Sequence, residues 1–366
     1  MVKFTNNQHV LNQDMKQVKK IDIRRQEDLE TIRGDWVRLE SGKDMTVFQS
    51  YAWNRLLVES WCKRLTDRVL SGIAVYCLKE DGGKVLLMIP VLIQKHAIKN
   101  RWWYTPKGVY LLGHGTYADY LCAIYDQCSE EDILFTLETI HRDHPGMSLF
   151  FESIKEETFF SRVIAKAGRH AGTETSVSVK RMENAEAYRK SLSKHVRQNL
   201  RTAQHRMERD GVVYELKVTD RADTELIEKM RSLHTKRLRA KNRNDRDPLR
   251  RLSSRIRIKF WIRGDRLVFD SMKNMENSVW VIAFIDGQIV GYLYGLKDRR
   301  SVRIMHNCVD MQFGKYSPMF RGAFDFILQM YEGTKTDEVD LTRGTEPYKY
   351  QLGGTGSTLR SYFLFP

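Results

Sequence analysis

The sequence predicts a mixed α/β (α+β) fold of two tandem domains built to one plan, each a mixed sheet flanked by helices. Three observations carry the prediction. The chain has 366 residues, more than a single hydrophobic core usually organises. Two strand pairs of the same design stand about two hundred residues apart: AVYCLKEDGGKVLLMIPVLIQ turns at Asp81-Gly82-Gly83, and VWVIAFIDGQIVGYLYGLK turns at Asp286-Gly287. Both turns have the Asp-Gly chemistry that accepts the positive φ of a tight hairpin. Each pair follows a helix-rich segment and precedes one more strand and a long amphipathic helix, a weak internal repeat of α/β units.

Taken in order, residues 1–44 read as a polar lead-in with a short helical segment from Leu29 to Leu39. FQSYAWNRLLVESWCKRL then sets Trp53, Leu56, Leu57, Ser60 and Trp61 on one helical face behind a Ser50 cap. After the first hairpin come a strand at Val109–Gly113 and a helix at Glu131–His141. A boundary near Val177 to Tyr188 gives an N-terminal domain of residues 45–180 and a C-terminal domain of residues 181–366. AYRKSLSKHVRQNLRTAQHRMERDG reads as one helix closed by Gly211, with Leu192, Val196, Leu200, Ala203 and Met207 on an apolar stripe. Lys194, Arg197, Arg201 and Arg206 face the other way. A strand at Val212–Val218 follows, and after the second hairpin a strand at Val302–Val309 and a helix at Pro318–Tyr331. A duplicated fold leaves an interdomain cleft, a common ligand site.

The formal net charge of +15 is concentrated, since residues 229–266 hold fifteen Lys or Arg against three Asp. This basic helical insertion suits an anionic partner: nucleic acid, an acidic membrane surface with peripheral association, a nucleotide-linked sugar or coenzyme A. A solvated helical face is the plainer reading. Its aromatics, Phe260, Trp261 and Phe269, stand only at the end, which disfavours RNA because base-reading modules interleave aromatics for stacking. KNRNDRDPLRR, residues 241–251, is expected to order over a phosphorylated substrate. Five cysteines with no CxxC pair suggest neither a zinc site nor a disulfide framework, and with no apolar leader or span they point to the cytoplasm.

Four segments carry a resemblance: FQSYAW; ADYL at Ala118–Leu121; SLSKHVRQNLRTAQHRMERDG; and DLTRGTEPYKYQLGG from Asp340 to Gly354. Together they resemble the CelD/BcsL-like acetyltransferases of the GNAT class, associated with cellulose and other polysaccharide biosynthesis and related to the Fem-type aminoacyl transferases. The resemblance implies two GNAT-like domains in tandem, an acyl or aminoacyl donor, and a charge-stabilising role at the reacting carbonyl for Lys349 within EPYKY.

Acyl transfer needs an oxyanion site, a proton route and an anion-binding surface for the donor. Besides Lys349, Tyr348 is a candidate proton donor to a leaving thiolate. Asp119, in the glycine-bearing loop LLGHGTYADY, is the candidate general base or acceptor-binding carboxylate, with Tyr120 beside it. Arg343, Glu346 and His306 are candidate substrate contacts, and His114 a candidate relay. Asp340 is expected to present its carboxylate to the cleft. Each has a plainer reading as a cap, brace or packed side chain. In QFGKYSPMF the donor turn of related acetyltransferases is imperfect: Gln312, Gly314, Lys315 and Ser317 occupy it, with Ser317-Pro318 a sound helix start.

The expected activity is transfer of an acyl group, acetyl first, from acetyl-CoA or another acyl-CoA to an amino or hydroxyl group of a sugar nucleotide or polysaccharide precursor, without a metal. A Fem-type transferase using aminoacyl-tRNA, and a non-catalytic binding subunit of a polysaccharide assembly system, are the alternatives.

Overall fold

The computed structural model describes residues 16–99, 104–115, 118–243, 266–332 and 334–365. The chain forms two compact units, Met1–Thr173 with Arg360–Pro366, and Glu174–Leu359.

In the first unit the order is β1 (Gln17–Ile23), α1 (Gln26–Glu30), α2 (Arg33–Leu39), α3 (Tyr51–Cys62), α4 (Leu65–Leu70), β2 (Ser71–Lys79), β3 (Val85–Gln94), β4 (Ile98–Lys99), β5 (Tyr104–Thr105), β6 (Gly108–Leu111), β7 (Ile124–Tyr125), α5 (Glu130–Asp143), β8 (Leu149–Lys155), α6 (Phe159–Ala167) and the start of β9 (Arg169–Lys180). Its sheet runs β1-β2-β3-β6-β8. The pairs are antiparallel except β6 with β8, which α5 separates in sequence and which run parallel.

The α3 helix starts where its sequence directs: Ser50 Oγ accepts the Trp53 N–H, and Trp53, Leu56 and Leu57 are buried. The lead-in is not merely polar. Gln17–Ile23 pairs with β2, and its alternating exposure and lysines are those of a half-solvated edge strand. With Ile23 its sole fully buried residue, this strand left little apolar signal in the sequence.

The second unit holds the rest of β9, then α7 (Ala185–Ser191), α8 (Lys194–Arg209), β10 (Tyr214–Thr219), α9 (Thr224–Arg243), α10 (Arg266–Asn274), β11 (Ser278–Ile285), β12 (Gln288–Asp298), β13 (Ser301–Val309), α11 (Pro318–Gln329), β14 (Glu338–Arg343), α12 (Pro347–Gln351) and the start of β15 (Thr355–Leu364). The sheet order is β9-β14-β13-β12-β11-β10. Again one pair is parallel, β13 with β14, and α11 lies between them in sequence. Thus β2-β3-β6-α5-β8 and β11-β12-β13-α11-β14 share one topology, which is the repeat the two hairpins announce.

The single helix expected before Gly211 is two helices. Leu192 is extended and buried in the core, and Ser193 Oγ accepts the Val196 N–H to start α8 afresh. Val196, Leu200, Ala203 and Met207 are buried as the stripe requires, and Gly211 has φ +65° past the helix end. Tyr188, Leu192, Val196 and Leu200 pack with Phe326, Ile327 and Met330 of α11 over Val281, Leu293, Val302 and Ile304. On the opposite sheet face α9 and α10 bury Met230, Leu233, Val268 and Met272, and Trp280 packs on Tyr294 with ring centroids 4.7 Å apart.

Candidate active site

The parallel β13–β14 pair lasts only from Ser301↔Glu338 to Arg303↔Asp340, and beyond it the strands part. A buried ionic group pins the last pair. Arg303 Nε donates to Asp298 at 3.1 Å and its Nη1 donates to Asp340, and both Arg303 and Asp340 are buried. The other oxygen of Asp340 accepts the Thr342 N–H at 2.8 Å. Asp340, expected to present a carboxylate to a cleft, therefore braces the fork of the two strands.

Thr342 has φ +60°, a left-handed conformation that a β-branched residue rarely adopts. Hydrogen bonds to three other parts of the chain hold it there. Its N–H goes to Asp340, its hydroxyl donates to the Ile304 carbonyl at 3.0 Å, and its carbonyl accepts from Lys349 at 3.1 Å. Lys349 Nζ also donates to the carbonyls of Arg343 at 2.8 Å and Gly344 at 3.3 Å, and lies 2.9 Å from Glu346 Oε2. Only 3% exposed, the ammonium spends its donors on closing this turn. Burial raises the Glu346 carboxyl, but the Lys349 hydrogen bond and charge outweigh it and hold the group below its ordinary value. Arg343 pairs with Glu174 at 3.2 Å. Replacing Lys349 by Met should cost about 2–3 kcal/mol, because buried carbonyls lose their donor. Urea unfolding checks this, and a change below about 0.5 kcal/mol, the size of an ordinary surface effect, would contradict it.

Where the strands part, β13 carries a bulge at Met305, between Tyr294↔His306 and Gly295↔Ile304. The extra residue reverses the alternation of faces. Val302 and Ile304 pack with α8 and α11, whereas His306 and Cys308 turn toward α9 and α10. A Cβ on Gly295 would lie 2.6 Å from the Arg303 carbonyl, so this crossing needs glycine. His306 is buried: Nδ1 is 3.1 Å from the Tyr292 hydroxyl, and its ring packs on His234 at 4.6 Å and Phe269 at 5.9 Å.

Arg237 of α9 reaches the same stretch. Its Nη1 donates to the Asn307 carbonyl at 3.3 Å, and its cation favours the Cys308 thiolate, although burial outweighs this and pushes the thiol up. Asp310 N–H donates to Val290 on β12. Alternation then turns the peptide groups of Asn307 away from β12, toward the side that β14 has left. Tyr348, at the start of α12, lies close enough to Arg237 for the cation to act on its phenol. Burial first, then Glu346, push that phenol up to about 12 against the lowering effect of Arg237.

The candidate donor turn follows β13. Asp310 caps a 3₁₀ helix, Met311–Tyr316, and Ser317, with φ +48°, precedes Pro318 at the first position of α11. Its amides are used internally: Gln312 N–H donates to Asp310 Oδ1, Phe313 N–H to the Asp310 carbonyl, and Ser317 N–H to the Gly314 carbonyl. Lys315 pairs with Asp210 at 2.7 Å, and Lys236 lies 2.7 Å from Asp310 and 3.4 Å from Gln312 Oε1. Asp210, bonded by Lys315, Arg209 and Tyr316, is held well below the usual carboxylate range.

In the first unit, Asp119 is buried and has a partner, and Tyr120, with φ +60°, gives its carbonyl to Gln49 Nε2 and lies under Lys155 with 4.8 Å from cation to ring. His114 stacks on Tyr110 at 4.0 Å and stands 3.0 Å from Glu152.

Sequence reading missed Arg237, Asn307 and Arg303. Arg237 lies inside the basic block, where a count of charges singles out no member, and the part of the block from 244 to 265 lies outside the described residues, as does most of the 241–251 segment. Arg303 had one signal, a charge set between the apolar Val302 and Ile304.

Residues 194–350 match the acetyltransferase (GNAT) domain family. No curated protein matches the sequence. Among solved structures, the chain is similar to the C-terminal domain of an Agrobacterium fabrum protein described as a lysylphosphatidylglycerol synthetase, at 12% identity and TM-score 0.53, covering 93% of this chain and 92% of that one. A conserved protein of unknown function from Bacteroides thetaiotaomicron gives 11% identity and TM-score 0.52, over 95% and 99% of the two chains. FemX gives 9% identity and TM-score 0.51, over 95% and 97%. The chain thus has a GNAT-type acyltransferase fold, with an acetyltransferase-domain match over residues 194–350.

Proposed function

We propose that the opening beside β13 is the transfer centre of a cytoplasmic acyltransferase that moves an acyl group, acetyl first, from acyl-CoA to an amino or hydroxyl group of a sugar nucleotide or polysaccharide precursor. The observation that supports this reading is that Arg237, which donates to the Asn307 carbonyl, also acts electrostatically on the half-buried Tyr348 phenol. The acceptor's lone pair attacks the thioester carbonyl, and the Asn307 N–H faces the side where the oxyanion forms. As the tetrahedral species collapses, the C–S bond breaks and sulfur keeps the pair, while the acceptor's proton passes to solvent. Tyr348 and Arg237 meet the charge developing on sulfur.

The fit to coenzyme A is partial. The turn before α11 spends three amides on itself, so the donor's pyrophosphate would rely on side-chain cations such as Lys236. That favours, as a second reading, an aminoacyl-tRNA donor, whose reacting ester needs no pyrophosphate cradle. Hydrogen exchange with acetyl-CoA and, separately, aminoacyl-tRNA distinguishes them. The first reading expects acetyl-CoA to slow exchange at residues 305–310 and the start of α11. Protection by aminoacyl-tRNA alone selects the second, and no protection by either discards the transfer centre.

A further inference from the structure

The first unit contains a cavity of about 580 Å³ that transfer chemistry does not use. It opens where three strands end together, with Ile23 opposite Ile73 and Gly72 opposite Ile93. Trp61, Ile73, Ile93 and Met147 give it apolar surface. Trp61 is fixed by its indole N–H, which donates to Ser71 Oγ at 3.0 Å, and Ser71 in turn donates to the Asp67 carbonyl at 2.7 Å.

Around this surface stand Lys20, Arg24, Arg68 and Lys95, against one carboxylate, Asp22. Asp22 is engaged by Lys20 at 3.4 Å. The side chains of Arg24, Arg68 and Lys95 have no ion-pair or hydrogen-bond partner among the described residues. His144, the remaining titratable group on the cavity, is held below its ordinary value by burial and by Lys20, and so adds no charge near neutral pH. Three cations brought to one cavity without counter-charges repel one another, and a dianion placed among them removes that repulsion and gains charge-assisted hydrogen bonds.

We propose that this cavity binds a phosphate monoester, its phosphate among Arg24, Arg68 and Lys95 and its organic part on Trp61, Ile73 and Ile93. The helix that carries Arg68 also exposes Leu65 and Val69, at 68% and 59%, so a soluble ester and a lipid headgroup present the same chemistry from two sources.

The test uses the full chain and three probes: inorganic phosphate, glycerol 3-phosphate, and vesicles containing phosphatidic acid against vesicles of phosphatidylcholine alone. The soluble source predicts a saturable rise in melting temperature with glycerol 3-phosphate, larger than with inorganic phosphate and weakened by salt. The lipid source predicts co-sedimentation with the phosphatidic acid vesicles only. Either response should fall at least tenfold in R68E/K95E and partly in R68Q/K95Q. Arg68 and Lys95 are both exposed, so the variants should melt without ligand within a few degrees of the parent. Responses that survive R68E/K95E unchanged, or no response to any probe, overturn the proposal.

Discussion

Replacing Arg303 by Met should destabilise the chain by about 3–5 kcal/mol, the usual cost of breaking a buried ion pair from one side. The side chain is 7% exposed and sits between Asp298 and Asp340, whose side chains are 12% and 2% exposed. Methionine fills a similar volume but removes the buried cation that the two carboxylates share. Part of that cost falls on Thr342, because Asp340 also holds its N–H in the left-handed conformation. Denaturant unfolding should show a lower midpoint with an unchanged slope. Arg343→Met is the comparison: its pair with Glu174 is 41% and 44% exposed, so about 1 kcal/mol or less is expected. Equal losses in the two variants would show that the Arg303 group does not pin the fork.

Most of the architecture was legible because periodicity and turn chemistry are local. The hairpins at Asp81-Gly82-Gly83 and Asp286-Gly287, the Ser50 cap and the α8 stripe follow from residues within a turn or two of each other. β1 was not legible, since a half-solvated edge strand need not be apolar. Nor was the break at Ser193, where a serine inside a helical pattern reads equally as a helix residue or a cap. At the candidate site the tail motif singles out residues 340–349, but not the division of labour within them. Whether a lysine at 349 meets a substrate or three carbonyls depends on the left-handed turn at Thr342, which no local pattern announces. The bulge at Met305 is equally silent, and it decides that His306 packs among aromatics while Asn307 turns its peptide groups to the opening.

Tyr348 is the residue on which the catalytic account rests. Its phenol, pushed up to about 12, stays protonated throughout the neutral range. Passing that proton fully to a thiolate of ordinary pKa, about 8.5, would be uphill by roughly three and a half units. The role that fits is a hydrogen bond to sulfur as its charge develops, with Arg237 supplying the neighbouring cation. Loss of one such donor slows turnover by a factor on the order of 10²–10³. Because the group keeps its proton until the pH nears 12, the activity profile should show no alkaline limb of its own at about pH 8–10. The decisive measurement is thiol release from acetyl-CoA with an amino-sugar acceptor, comparing the parent chain with Tyr348→Phe at equal melting temperature. The predicted result is a turnover rate lowered about a hundredfold or more, with KM for acetyl-CoA within about threefold of the parent's. An unchanged turnover rate, or a loss confined to KM, would contradict the assignment of the β13 opening as the transfer centre.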